Sequence, residues 1–78
     1  MLFRVDGLRV IDSARKHGFA DDDLFHALRN ILRVIPEDGL IIYIGPAQDG
    51  TVLEVGVVAD DEDERVVHAM KARRKYWH

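Results

Sequence analysis

The sequence predicts an α+β domain in which two N-terminal helices pack on one face of a four-stranded, mostly antiparallel sheet. Three observations lead there. Apolar residues recur at helical spacing as far as about residue 29, short β-branched runs broken by turn residues follow from residue 31, and each connection between those runs is short enough for neighbouring strands to pair. Helices that precede a run of strands give two layers, with the helices over one sheet face. At 78 residues the chain makes one domain, 1–78, near the size at which a single core becomes marginal.

Taken in order, Leu2, Phe3 and Val5 form an entry strand or packing strap, and Asp6 suits the N-cap of a first helix over 7–17. Leu8, Ile11 and Ala14, with Val10 alongside, make its apolar stripe, and Gly18 stops it. Asp21, Asp22 and Asp23 favour the positive N-terminus of a second helix over 21–29, carried by Leu24, Phe25 and Leu28. Four strands follow, over 31–35, 40–45, 51–58 and 65–71, separated by the turns 36–39 and 46–50 and the acidic loop 60–64. In the third of them Leu53, Val55 and Val57 share one face, while Val52, Glu54, Gly56 and Val58 share the other.

Composition narrows the function classes. There is no Cys, which excludes disulfides, thiolate zinc sites and a Cys nucleophile. No apolar run approaches the roughly 20 residues of a membrane span, and the N-terminus lacks the apolar stretch of a signal peptide, so the expectation is a cytoplasmic protein with no membrane partner. The chain is 47% hydrophobic and 32% charged, as in a folded domain. Its formal charge of −3 is polarised: five cations at 65–78 leave −8 on residues 1–64. That layout suits either a phosphate-binding end or an internal counter-charge for the acidic loop.

Three stretches in order, "ARKHGFADDDLFHAL" at 14–28, "LIIYIGPAQDGTVLEVGVV" at 40–58 and "RVVHAMKARRKY" at 65–76, resemble the BrnT-type toxins, small members of the RelE-like group of bacterial ribonuclease toxins. The resemblance implies a RelE/BrnT-like fold and an RNA-cleaving, metal-independent toxin that a separately encoded cognate antitoxin neutralises. Where the family usually has an Ala-Arg pair in the last strand, this chain has Ala69-Met70. Met70 and the overall acidity favour the alternative, a non-catalytic protein-binding domain on the same scaffold.

Metal-free RNA cleavage needs a base for the ribose 2′-hydroxyl, an acid for the leaving oxygen and cations on the phosphate. His68, mid-strand, is the first catalytic candidate, since imidazole transfers protons near neutral pH; the competing role is a packed, hydrogen-bonded strand residue on the parity of Val66 and Met70. His17 is the second, against a role in capping the first helix. His26 is read as a boundary residue and His78 as terminal. Arg15, Lys16, Lys71, Arg73, Arg74 and Lys75 are the phosphate-binding candidates, and Tyr76 offers a face for an unstacked base. Tyr76 and Trp77 compete with that as closers of the core, and packing leads for Trp77. No metal site or cofactor is expected: no His-x-x-x-His pair occurs, the helix dipole explains Asp21 to Asp23, and the 45–50 turn lacks the Lys of a phosphate loop. Catalysis predicts that His68, Arg73 and a cation from Arg15 or Lys16 converge on one concave surface. So small a sheet should also leave an apolar or strand-edge surface for RNA-independent contacts, either antitoxin binding or a homodimer.

Overall fold

The computed structural model describes residues 5, 7–59 and 63–77. A five-stranded mixed sheet has the order β1-β5-β4-β3-β2. Its strands are β1 (Arg9–Val10), β2 (Arg33–Glu37), β3 (Leu40–Pro46), β4 (Val52–Ala59) and β5 (Glu64–Lys71). One α-helix, α1 (Asp21–Arg29), lies on one face, and a 3-10 turn (Asp12–Arg15) runs beside β5.

Two expectations are corrected here. The described residues contain one α-helix, not two, and the sheet has five strands with a parallel edge pair, not four antiparallel ones. Where the first helix was expected, β1 pairs parallel with β5, Arg9 opposite Arg65 and Val10 opposite Val66. The reason is competition for the same backbone. Gly7 holds a φ of +80, and Val10, Ile11 and Ser13 are weak helix formers. The β5 edge meanwhile offers carbonyls: Ile11 N–H donates to Val66 O at 3.0 Å, and Ser13 Oγ donates to Val67 O at 2.7 Å. Of the expected stripe, Leu8 and Ala14, together with Val10 but not Ile11, join the core cluster, from this edge segment instead of from a helix. Leu2, Phe3, the Asp6 cap, Asp60 to Glu62 of the acidic loop and His78 lie outside the described residues.

The second expected helix coincides with α1, with Asp21, Asp22 and Asp23 in its first turn. The first expected hairpin is displaced. β2 runs on through Pro36 to Glu37, which pairs with Leu40, so the turn is Asp38-Gly39, with Gly39 at φ +81. Asp-Gly suits such a two-residue connection, and Pro36 is tolerated because β2 is an edge strand.

The core has two parts. Beneath α1, Leu24, Ala27 and Leu28 pack with Tyr43, Leu53, Val55, Val57, Val66 and Ala69. Gly45 sets how close the helix lies, because a Cβ there would fall onto the carbonyl of Ala27. On the opposite face the chain after β5 folds back, and Tyr76 packs with Ile42 and Ile44, with Trp77 and Ala72 alongside.

A bulge in β5 decides which way its histidine faces. Gly56 pairs with His68 but Val57 pairs with Val66, leaving Val67 as the extra residue. Val66 therefore joins the helix-facing core, and His68 takes the other face. The shared parity of Val66 and His68 expected from the sequence is corrected by this one residue.

Candidate functional site

The site is built around Glu54. Strand alternation turns Leu53 and Val55 toward the helix and Glu54 to the other face, where it is completely buried. A buried carboxylate needs partners, and this one accepts four hydrogen bonds. His68 Nε2 donates to Oε2 at 2.9 Å, and Arg73 donates from its backbone N–H at 2.9 Å and Nε at 3.0 Å to Oε1 and from Nη2 at 2.8 Å to Oε2. Burial pushes the carboxyl up, but the bonds from Arg73, with that from His68, outweigh it and hold Glu54 below its ordinary range. The same contact raises Arg73. Among the described residues no buried side-chain polar atom lacks a partner.

His17 completes the arrangement. The α-helix over 7–17 whose end it was expected to cap does not form; a 3-10 turn ends at Arg15, with Lys16 as its C-cap. The 3-10 turn instead runs along β5 and ends before His17, and its ring comes edge-on to that of His68, 6.4 Å between centroids and 79° between planes. His17 is exposed, and the His68 side chain is 27% exposed, so both imidazoles are open to solvent beside a buried, charge-compensated carboxylate.

The remaining candidates separate by what they touch. Arg73 reaches the site through Glu54, to which its backbone N–H, Nε and Nη2 are committed. Arg15 is tied to Asp21 through Nε at 3.0 Å and Nη2 at 2.8 Å and to Asp12 through Nη1 at 3.0 Å, and the bonds from Arg15 hold Asp21 low. Lys16 is exposed next to His17. Lys71 and Arg74 are exposed at and beyond the end of β5. Lys75 lies over the Tyr76 ring at 4.8 Å. Tyr76 itself is packed away: it is 7% exposed and its hydroxyl donates to Glu37 Oε1 at 2.5 Å. Arg33 holds Tyr76 O at 2.7 Å and lies over Trp77 at 4.9 Å, so the tail aromatics close the second core. His26 Nδ1 donates to Pro46 O at 2.7 Å, a bond between α1 and the end of β3.

Glu54 was missed as a site residue. The signal was present, a lone carboxylate within "VLEVGVV". Read by alternation alone it sits on a partly open face, where a Glu needs no explanation; its burial depends on the tail folding back. Among the described residues no group of three or more His, Asp or Glu side chains is placed to hold a metal ion. None of the helices among them is long and apolar enough to cross a membrane. Comparisons of the chain with protein-family models, with curated proteins and with solved structures give no match.

Proposed function

We propose that this protein is an endoribonuclease acting by imidazole acid–base chemistry, and the toxin of a toxin–antitoxin pair. The observation that carries the chemistry is the approach of His17 and His68, distant in sequence, to 6.4 Å across the β5 edge. Two imidazoles at that spacing suit an acid–base pair, one on each side of a phosphodiester, each within the roughly 2.6–3.2 Å reach that proton transfer requires. One imidazole takes the proton of the ribose 2′-hydroxyl as that oxygen attacks phosphorus. The P–O5′ bond breaks, and the other ring, as imidazolium, gives its proton to O5′. The products are a 2′,3′-cyclic phosphate and a 5′-hydroxyl, and the pair ends with its protons exchanged. Lys16, Lys71, Arg74 and Lys75 supply cationic surface around the backbone of the substrate.

The toxin assignment rests on the ordered resemblance to BrnT-type proteins. Its first and third stretches are the ones that contribute His17, His68 and Arg73 to one site. A cytoplasmic location and a cognate antitoxin follow from that reading.

The test is direct. The protein is incubated in chelator with a defined RNA and with the DNA of the same sequence. Cleavage of RNA alone, with 2′,3′-cyclic phosphate ends, is the expected result; intact RNA, or products bearing 5′-phosphates, overturns the proposal. Induced expression should arrest growth with loss of RNA, and co-expression of a neighbouring antitoxin should restore it.

One observation favours the non-catalytic reading. Leu32 and Val34, next to and within the edge strand β2, are 55% and 47% exposed, a small apolar surface suited to a protein partner or a second copy. Binding of a partner by a chain that leaves RNA intact would establish it.

A further inference from the structure

We infer that Glu54 is a positioning residue that holds His68 with its proton on Nε2, leaving the Nδ1 lone pair to act as the base toward the 2′-hydroxyl. The inference rests on the ribonuclease reading and adds the order of proton transfer to it: His68 is the base and His17 the acid.

An ionised carboxylate only accepts, so the ring nitrogen 2.9 Å from Glu54 Oε2 must carry hydrogen. Three further bonds, all from Arg73, fix both carboxylate oxygens from the other side, so Glu54 cannot turn away from the ring. A neutral imidazole with Nε2 protonated has its acceptor at Nδ1. The charges facing His68 settle what kind of influence this is. Arg73 lies on the same carboxylate and offsets its charge, while His17 faces the ring from the β5 edge. Glu54 therefore acts on His68 through orientation and tautomer more than through a net negative field. With His68 as the base, His17, whose ring faces it, takes the other role and gives its proton to O5′.

Glu54→Gln separates these effects. Arg73 presents donors to both oxygen positions, so the amide oxygen should take Oε1, where two of those donors converge, and the amide nitrogen should take Oε2. That nitrogen then faces Nε2 of His68 as a donor and gives up the bond from Arg73 Nη2, and the ring accepts by moving its proton to Nδ1, where it no longer serves as a base.

Nitrogen-15 NMR of the neutral histidine rings, recorded at alkaline pH, reads the tautomer, and single-turnover cleavage reads its consequence. The wild-type protein should show His68 with Nε2 protonated. E54Q should show the proton on Nδ1 and lose about 10²- to 10⁴-fold in cleavage rate, with RNA affinity nearly unchanged. Two results overturn the inference: a wild-type His68 protonated on Nδ1, which needs no variant to fold, or a folded E54Q that cleaves at the wild-type rate. Wild-type protein with Nε2 protonated that leaves RNA intact instead overturns the ribonuclease reading.

Discussion

The two faces of β4 obey opposite rules. Toward α1, Leu53, Val55 and Val57 meet Leu24, Leu28 and Val66 in an apolar layer whose stability comes from area removed from water and close packing. Toward the tail, Glu54 sits in the same strand, no less buried, and is held by charged and polar groups from β5 and the turn after it. The first face tolerates loss of any one contact in proportion to volume. The second is satisfied as a set, and removing one member leaves the others exposed to a desolvation cost that nothing offsets.

The sharpest way to break the first face is at Gly45. Gly45→Val drives side-chain atoms into the backbone of α1 and should cost about 3 kcal/mol or more, or abolish folding, as read by denaturant midpoint. Leu53→Ala should follow at about 2–5 kcal/mol, since Leu53 is completely buried.

On the second face, Arg73→Ala should cost about 1–3 kcal/mol at neutral pH, the lower range applying because the Arg73 side chain is 45% exposed and water enters in its place. Its pH dependence is more telling than its size. In the wild type Glu54 sits below its ordinary value of 4.5, so its contribution is present above that value and is lost as pH falls toward the lower folded value. Without Arg73, burial should instead raise the carboxyl, and the sign reverses: the variant's deficit should be largest at pH 7 and shrink as Glu54 takes a proton. A deficit that stays constant from pH 7 to pH 4 would mean that Glu54 is not held by charge.

The smaller effects concern the tail. Tyr76→Phe removes the bond to Glu37 and should cost about 0.5–1.5 kcal/mol. Lys75→Ala should leave stability within about 0.5 kcal/mol, as for an exposed side chain, yet lower the salt slope of RNA binding by about 0.7 if it contacts a phosphate. An unchanged slope removes Lys75 from the RNA surface.

The same contrast explains what the sequence could disclose. The helix-facing layer was legible because its signals are local: Asp21 to Asp23 followed by Leu24 and Leu28 announce α1, and Asp38-Gly39 announces a hairpin even though β2 extends past Pro36. The stripe Leu8, Ile11 and Ala14 misled because Leu8, Val10 and Ala14, on an edge segment and a 3-10 turn, reach the same core that a helix would. Segment 7–17 answers to the open edge of β5, a long-range fact. The site was legible only in part: neither its central residue, Glu54, nor its arrangement could be read. His68 and Arg73 could be singled out by chemistry, but the face of His68 turns on the extra residue Val67, and its approach to His17 on a helix that does not form. Glu54 was visible as the one charge in an apolar strand and could not be weighed until the tail was placed over it.

The measurement that bears most directly on the paired-imidazole account is single-turnover RNA cleavage by wild type, His17→Ala, His68→Ala and the double variant. If the two rings act in one proton-transfer cycle, each single variant should lose about 10²- to 10⁴-fold and the double should lose little more than the worse single, because groups that act as a unit are not additive. Losses that multiply in the double variant, or a single variant that cleaves as fast as wild type, would contradict it.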